Sequence, residues 1–505
     1  MMKVRLNEME RQIKILPGTP DDDNREYLPE AIKGSDIVVN ENGNNSQPYP
    51  KRLQEFHGIM GNETEDEWYE YVPESYDPEK KTPLVLSMHG GLMTGWGQAI
   101  YTSWTMIAER DNIIVVFPNA HSRRLWTVEA TDVERKVDAE LPVDIRQNLA
   151  DKIEDNPDVK MVLALLDYLK GKYNIDEERI FMQGMSNGNM FTSMFARYYG
   201  NLITAASCAG GGTPNPRLFM EDGQLKNAGG PVGMWTSIPE TNGCPPWCEF
   251  DDPTIYKYTR VYWNEVNKCH QDPEISIIGE DAFAFYKGDK VDNVFFEIKN
   301  RDHGQTLDEA ALVWDYYFSG LRRKADGTIV DEGPRFSRNG DRFGVAVTDG
   351  CKTAWFENHK VEMKAPAVKW QKLKYHGLNG GQKVKGEYIC VPVSFIAKVF
   401  DASYRYEEDG TVAYMYLEDG RTLQFARGSI GCVIGNDFRC MYCEALHREG
   451  ELCISLEWFA RFIMGVCATK YDDVLYVTDH HAELGTNMAD LIRNLLHNEK
   501  EEIVL

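Results

Sequence analysis

The stretch RIFMQGMSNGNMFTSMFARYY, residues 179–199, decides how this chain folds. It begins as a short apolar strand, bends at GMSNG (184–188) and continues as a helix with one apolar side. The bend matches Gly-x-Ser-x-Gly, in which the glycines leave room for a sharp strand-to-helix turn that holds the serine in a strained conformation. The amide dipoles of the following helix favour negative charge at the same point. This context predicts Ser186 as a nucleophile rather than an ordinary turn residue.

The segments around this motif alternate between buried strands and helices. PLVLSMHGG (83–91), NIIVVFPNA (112–120) and ITAASCAGG (203–211) are short apolar runs typical of buried strands, and residues 158–173 have helical periodicity. Such alternation predicts a mostly parallel sheet with helices on both faces. With the serine motif at a strand end, the predicted fold class is α/β, of the α/β-hydrolase type.

A histidine and an acid follow Ser186 in the order that this fold requires. His303, in NRDHGQTLDEA, follows the strand VFFEIK (294–299) and is predicted as the general base that takes and returns the serine proton. Glu240 follows the strand PVGMWTSI (231–238) and is predicted as the acid that orients the imidazole. Three aspartates remain alternatives for this role: Asp251, Asp252 and Asp272.

The run His89-Gly90-Gly91 stands at the end of the first buried strand, where a second oxyanion donor is needed. The main-chain amide of Asn187 and that of Gly91 or Leu92 are therefore the predicted oxyanion hole. Three tryptophans are candidate walls of a substrate pocket that accepts an aromatic acyl group: Trp126, Trp235 and Trp247.

Composition narrows the function classes. The 505 residues carry a net charge of −24, which disfavours nucleic acid and anionic membranes as partners. We find no signal-peptide run and no apolar stretch long enough for a membrane helix, and we read the 11 cysteines as mostly reduced thiols. A cytoplasmic location is therefore expected. Cys440-Met-Tyr-Cys443 without a second pair is weak support for zinc, and no phosphate-binding glycine loop follows a strand, so we expect neither metal nor cofactor.

The C-terminal third has a different pattern. EYICVPVSFIAKVF (387–400) and ELCISLEWFARFIM (451–464) correspond position by position, each as a short strand followed by a helical turn. The predicted organisation is an N-terminal arm (1–50), a catalytic domain (51–323), a linker (324–340), a smaller α+β repeat domain (341–482), and a C-terminal helix and tail (483–505).

Two resemblances add to this interpretation. YVPESYDP, PLVLSMHGG, YNIDEERIFMQGMSNG and the late DHG resemble the polyhydroxybutyrate-depolymerase-like esterases, a group that includes feruloyl and acetylxylan esterases. Where that family has H-G-x-x-D after the strand, this chain has T-S-I-P-E, so the resemblance leaves the acid open. Residues 341–482, with YICVPVSFIAKVFDA, resemble the small domain named after the N-terminal region of copper amine oxidases, which implies a packing or attachment module and no copper site.

The sequence thus predicts a serine carboxylic-ester hydrolase that acts by acyl-enzyme transfer on feruloyl, cinnamoyl or acetyl esters of plant polysaccharides, or on related small esters. The expected partner is a small-molecule or oligosaccharide ester, and self-association through the C-terminal domain is left open. Alternatives are a prolyl-oligopeptidase-like serine peptidase, a polyhydroxyalkanoate depolymerase and, last, a non-enzymatic binding protein.

Overall fold

A computed structural model describes residues 37–39, 46–140, 143, 146–241, 253–299, 301, 303–376 and 381–498. Its dominant feature is a ten-stranded sheet, ordered β12-β13-β14-β11-β10-β9-β5-β6-β4-β3. The first fourteen strands are β1 (Ile37–Val39), β2 (Ser46–Pro48), β3 (Leu53–Gly58), β4 (Asp66–Tyr71), β5 (Thr82–Met88), β6 (Ile114–Pro118), β7 (Thr127–Glu129), β8 (Asn148–Ala150), β9 (Ile175–Met185), β10 (Ala205–Ala209), β11 (Gly233–Pro239), β12 (Glu274–Ile278), β13 (Asp281–Tyr286) and β14 (Asn293–Ile298).

The centre of this sheet is parallel and its two margins are antiparallel. Strands β14, β11, β10, β9, β5 and β6 pair in parallel, while β4 and β3 at one side and β13 and β12 at the other are antiparallel. Parallel strands end at a common edge, so the loops that follow β5, β9, β11 and β14 meet there. This edge carries the predicted site.

Helices cover both faces, which is why the central strands β5, β6, β10 and β11 are buried along their whole length. They are α1 (Gly95–Tyr101), α2 (Trp104–Asp111), α3 (Asp132–Glu140), α4 (Pro157–Lys172), α5 (Asn187–Tyr199), α6 (Asn215–Leu218), α7 (Pro253–Asn267) and α8 (Glu309–Tyr316), with short 3-10 turns at Ile153–Asp155, Gly200–Leu202 and Phe318–Gly320. In β5, Leu84 and Leu86 pack with α4 and α5 on one face, and Val85 packs with α2 and α8 on the other. The α/β-hydrolase type of sheet predicted from the sequence is confirmed.

The C-terminal region is built from small antiparallel sheets, ordered β19-β18-β17-β30-β29, β20-β21-β28-β27 and β22-β23-β24-β25-β26. The elements are β15 (Leu321–Arg323), β16 (Ile329–Asp331), β17 (Gly344–Thr348), β18 (Thr353–Phe356), β19 (His359–Glu362), β20 (Val368–His376), β21 (Gly381–Pro392), α9 (Val393–Val399), β22 (Ser403–Tyr406), β23 (Val412–Tyr416), β24 (Thr422–Ala426), β25 (Gly431–Ile434), β26 (Asp437–Cys440), β27 (Leu446–Arg448), β28 (Glu451–Ser455), α10 (Leu456–Trp458) continuing as a π-helix (Phe459–Met464), β29 (Cys467–Tyr471), β30 (Val474–Thr478) and α11 (Thr486–Leu496).

The internal repeat seen in the sequence forms a paired unit. The ends of β21 and β28 pair antiparallel, with Cys390 opposite Ser455 and Val391 opposite Ile454. Each strand leads straight into a helical turn, and both turns are buried in one core. Each copy therefore covers the apolar side of the other.

The C-terminal region also covers the outer edge of the large sheet. The amide of Asp341 donates to the carbonyl of Ile275 in β12 (2.8 Å), and the amide of Ile277 donates to the Asp341 carboxylate (3.2 Å). The predicted linker is part of this contact region, since Arg338 is buried and donates to Asp292 at 2.9 Å. Most of residues 324–340 are exposed, but the buried side chains of Ile329 and Arg338 attach the segment to the first domain. No helix among the described residues has the length and apolarity needed to cross a bilayer.

Candidate active site

Ser186 lies at a strained turn between β9 and α5. Its backbone has φ 56° and ψ −117°, a conformation that residues with a side chain rarely adopt. The flanking glycines are required by close backbone contact: a Cβ atom at Gly184 would lie 2.2 Å from the carbonyl oxygen of Gly188, and one at Gly188 would lie 2.4 Å from that of Met88. The Ser186 side chain is half-buried, so its hydroxyl is presented at the sheet edge and is not sealed in the core.

His303 approaches this serine from the loop after β14. Its Nε2 atom lies 2.9 Å from Ser186 Oγ, within hydrogen-bonding distance. Two hydrogen bonds hold this loop in place. The main-chain amide of Gln305 donates to the hydroxyl of Tyr101 (2.9 Å), and the side-chain amide of Gln183 in β9 donates to Gln305 Oε1 (2.8 Å). The structure therefore brings together the two side chains that the sequence predicted as nucleophile and base.

The three main-chain amides predicted as oxyanion donors are not equally available to a substrate oxygen. The Leu92 amide already donates to the carbonyl of Arg124 at 2.8 Å, because Leu92 has a left-handed conformation that turns its amide away. A Cβ atom on Gly91 would lie 3.5 Å from the Asn187 Cβ, so the Gly91 and Asn187 backbones are neighbours. Among the described residues, no group accepts a hydrogen bond from either amide. The geometry favours Asn187 and Gly91 as the donor pair and argues against Leu92.

His89 shapes the turn that carries Gly91. Its buried ring contacts the Gly90 carbonyl through Nδ1 (2.7 Å), and its Nε2 accepts the Ala120 amide (2.9 Å). An imidazole that accepts at Nε2 carries its proton on Nδ1, and burial lowers the pKa of His89 to about 4. The ring is therefore neutral at pH 7. It connects the loop of Gly90 to the loop of Ala120, a role that the sequence did not indicate.

The side chain of Asn187 has a role of its own, in addition to that of the main-chain amide. Its side-chain oxygen accepts the amide of Trp126 at 2.6 Å, and its side-chain nitrogen donates to Gln147 at 3.1 Å. The residue after Ser186 therefore holds the 126 and 147 loops beside the turn.

The tryptophans predicted as substrate contacts do not line an open cleft where the structure describes them. Trp126 is fully buried, stacks on Phe191 (4.8 Å between ring centres) and donates to the His89 carbonyl. Trp235 is fully buried in the centre of the sheet and donates to Ser237 Oγ (2.8 Å). Both are packing residues because their strand and loop positions turn them inward, which corrects the prediction for these two. Trp247 lies outside the described residues.

The acid that orients His303 must lie in a loop at the sheet edge that carries Ser186. Glu240 directly follows β11, and its amide donates to the carbonyl of Ile298 at the end of β14 (3.1 Å). Asp272 precedes β12, which runs in the same direction as β14, so it lies at the opposite edge, where it pairs with Lys360 (2.9 Å). Asp251 and Asp252 lie outside the described residues. Glu240 stays our predicted acid.

A buried carboxyl that the sequence did not single out lies below the histidine loop. Glu309 begins α8 and is fully buried, and Ser237 Oγ donates to its Oε1 at 2.5 Å. Burial raises the pKa of Glu309 to about 8, and its other oxygen has no hydrogen-bond partner among the described residues. The side chain is therefore mostly protonated at pH 7. Its only sequence signal is an acidic residue in the first turn of a helix.

No group of three or more His, Cys, Asp or Glu residues within the described ranges is arranged to hold a metal ion. Cys443, from the C-x-x-C pair, is buried beside Cys390 (3.5 Å between sulfurs), whereas Cys440 is exposed.

Comparison with known proteins points to one class of enzyme. No family model matches the chain. A stretch of 142 residues is 28% identical to the bifunctional acetylxylan esterase/xylanase XynS20E of Neocallimastix patriciarum, covering 28% of this chain and 17% of that protein. Another of 177 residues is 26% identical to acetylxylan esterase A of Emericella nidulans, covering 34% and 51%. This chain is similar to acetylxylan esterases.

One further curated relative and one solved structure are also similar to parts of this chain. Feruloyl esterase B of Thermothelomyces thermophilus is 22% identical over 162 residues, covering 32% of this chain and 48% of that protein. Among solved structures, an acetyl xylan esterase from Aspergillus awamori matches 53% of this chain and 98% of its own, with a TM-score of 0.39 and 18% identity. The chain spans about half or less of the length of these curated relatives. None of these relatives is described as a copper amine oxidase, so the resemblance of residues 341–482 stays a prediction.

Proposed function

We propose that this chain is a carboxylic-ester hydrolase in which Ser186 attacks the ester carbonyl and forms an acyl-enzyme, with acetyl or feruloyl esters of plant polysaccharides as substrates. The observation that carries the proposal is the 2.9 Å distance between His303 Nε2 and Ser186 Oγ at a strained strand-to-helix turn. Similarity to acetylxylan and feruloyl esterases supports the substrate class.

The proposed first step is attack by the Ser186 hydroxyl on the carbonyl carbon. His303 takes the hydroxyl proton as the new C–O bond forms, and the carbonyl oxygen becomes an oxyanion. The amides of Asn187 and Gly91 face this oxygen, and the start of α5 places the positive end of its dipole there. His303 then returns the proton to the leaving alcohol, which departs as the acyl-enzyme forms.

The second step repeats the first with water as the nucleophile. His303 removes a proton from water, the hydroxide attacks the acyl carbon, and the proton passes back to Ser186 Oγ as the carboxylic acid leaves. Glu240 is proposed to keep the imidazole in the tautomer that presents Nε2 to the serine.

A substrate panel tests this proposal. Wild type and Ser186→Ala are compared on p-nitrophenyl acetate, methyl ferulate, acetylated xylan, a hydroxybutyrate oligomer and an aminoacyl amide. Ser75→Ala, at an exposed serine near Asn112, is the matched control. We expect Ser186→Ala to lower kcat by on the order of 10⁴–10⁶-fold and to abolish labelling by a fluorophosphonate. Full activity in Ser186→Ala, or cleavage of an aminoacyl amide but of none of the esters, would reject it.

A further inference from the structure

The sheet β22–β26 has one face in the core and one face in solvent. Along each strand, residues alternate between the two sides. The core side includes Met415, Leu423 and Phe425, which pack against the repeat helices. The other side, which we call the open face, consists of Ser403, Arg405, Val412, Tyr414, Tyr416, Thr422, Gln424, Ala426, Gly431, Val433, Phe438 and Cys440.

A continuous row of side chains crosses the open face. Strand pairing places Arg405 opposite Tyr414, Tyr414 opposite Gln424, Gln424 opposite Val433, and Val433 opposite Phe438. With neighbouring strands about 4.8 Å apart, four steps make a strip of roughly 19 Å. The row is therefore long enough for an extended chain of several monomers to lie across the strands.

In this row the Tyr414 ring is held by its neighbours and partly exposed, and the Phe438 ring is largely exposed. The Arg405 guanidinium lies 3.9 Å from the ring centre of Tyr414 and donates to the Tyr416 hydroxyl at 2.9 Å, and Gln424 donates to the Tyr414 hydroxyl at 3.3 Å. At the other end, Phe438 is 73% exposed. Single exposed apolar side chains are common, but adjoining ones, as Val433 and Phe438 are here, form the kind of contiguous patch that marks binding surfaces.

The open face is also unusual in charge. None of its twelve residues is Asp or Glu, although the chain has 79 acidic residues and a net charge of −24. Its single cation, Arg405, is offset by Glu407 just beyond the strand end (3.2 Å). A neutral aromatic surface on an acidic protein matches a neutral ligand, because a polyanion would be repelled by the rest of the molecule.

We propose that the open face binds a neutral polysaccharide chain, so that the ester-bearing polymer is held by the same protein that cleaves its side groups. This proposal rests on the ester-hydrolase function proposed above. Sugar rings present C–H groups that pack on the exposed ring of Phe438 and on the part of the Tyr414 ring that Arg405 leaves uncovered, while their hydroxyls bond to Gln424 and Arg405. Because the Tyr414 ring is already held by Arg405 and Gln424, little of its side-chain entropy is lost on binding.

A second attachment point on one polymer raises the local concentration of its esters. The open face should therefore matter for long or insoluble substrates and not for small esters. This dependence on the kind of substrate distinguishes the open face from Ser186 and its neighbours, whose loss lowers activity on polymers and small esters alike.

The test measures co-sedimentation of the full chain with insoluble xylan. The variants are Tyr414→Ala with Phe438→Ala, Tyr414→Phe as the conservative change, and Phe462→Ala as the matched control, since Phe462 is 65% exposed but lies outside the open face. We expect the double variant to lose at least about tenfold in affinity, and the other two to bind as wild type does. Deacetylation of insoluble xylan should fall in parallel, with p-nitrophenyl acetate turnover and the melting temperature unchanged.

Binding by the double variant equal to that of wild type would overturn the proposal. So would sedimentation of wild type as a dimer that Phe438→Ala converts to monomer, because the open face would then be a self-association surface. Wild type that binds xylan but cleaves no ester would refute the proposed function alone, whereas Ser186→Ala should bind xylan as wild type does.

Discussion

The buried carboxylate of Glu297, in strand β14 of the large sheet, accepts a 2.6 Å hydrogen bond from the main-chain amide of Met488, in the first turn of α11. It also accepts hydrogen bonds from the main-chain and side-chain nitrogens of Asn487, at 2.9 and 3.0 Å. A residue of the first domain thus caps the last helix of the chain. Strand β14 leads directly into the loop of His303, so this cap joins the C-terminal helix to the strand behind the candidate site.

Replacing Glu297 by alanine should destabilise the whole chain. The change leaves the buried amide of Met488 and the partly buried amide of Asn487 without acceptors, and we expect the free energy of unfolding to fall by about 2–3 kcal/mol. Urea denaturation followed by tryptophan fluorescence measures this. Glu418→Ala, at an exposed glutamate, is the control and should change stability by less than about 0.5 kcal/mol. Equal stability of Glu297→Ala and wild type would show that the cap contributes nothing.

Glu309 should make stability depend on pH. Burial raises the pKa of Glu309 from 4.5 to about 8, so between these values the folded chain keeps a proton that the unfolded chain releases. Its contribution is present below pH 4.5 and is lost as the pH rises through 8. We expect wild type to lose on the order of 3 kcal/mol relative to Glu309→Gln between pH 5 and pH 9. If the free energy of unfolding changed with pH equally in the two proteins across that range, the raised pKa of Glu309 would be contradicted.

The acid of the site can be assigned by two matched amide substitutions. Glu240→Gln should lower kcat on p-nitrophenyl acetate by about 10²–10⁴-fold, because an amide no longer stabilises the imidazolium form of His303. Asp272→Asn removes an exposed carboxylate at the opposite sheet edge, and its kcat should stay within about twofold of wild type. An unchanged rate in Glu240→Gln together with a loss in Asp251→Asn or Asp252→Asn would move the role to that aspartate.

The two kinds of glycine in this domain should respond in opposite ways to alanine. At Gly188 a Cβ atom would lie 2.4 Å from the Met88 carbonyl oxygen, so Gly188→Ala should cost more than about 3 kcal/mol or prevent folding. Gly171, in α4, has no atom within 4 Å of the added Cβ, and Gly171→Ala should stabilise by about 0.5–1 kcal/mol. Thermal unfolding compares both with wild type. A folded Gly188→Ala of normal stability would refute the steric account of the motif.

A chain ending at Arg323 should fail to fold as a stable monomer. The cut removes Asp341 from the edge strand β12 and exposes Ile275 and Ile277, which are buried in a core shared with the C-terminal region. We expect the fragment to aggregate, and co-expression with residues 324–505 to restore solubility. Size-exclusion chromatography measures the outcome. A monomeric, active fragment would show instead that the C-terminal region is a separable module.

Local pattern was sufficient for the parts of the fold that depend on near neighbours in the chain. The Gly-x-Ser-x-Gly run between a strand and a helix located the turn at Ser186, because the close contact of Gly184 with the Gly188 carbonyl arises within five residues, whereas glycine at 188 is required by the distant Met88 carbonyl. Chain order then located His303, since parallel strands end at one edge and the loop after β14 must return there. The repeat likewise located two strand–helix units, which pair with each other in the structure.

Contacts between distant segments decided the rest. Whether Trp126 and Trp235 face solvent or core depends on which helices cover their segments, and both turned out to be interior. The choice of Gly91 over Leu92 depends on the Arg124 carbonyl, a partner that no local pattern reveals. The same holds for the high pKa of Glu309.

The sequence alone therefore determined the sheet, the serine turn and the order of the reacting groups, since strand and helix periodicity and glycine stereochemistry are local properties. Only the tertiary structure decided which side chains are buried, which amides are already bonded, and how the C-terminal region closes the edge of the large sheet. Burial, desolvation and hydrogen-bond pairing depend on neighbours brought together by folding, and no stretch of sequence contains them.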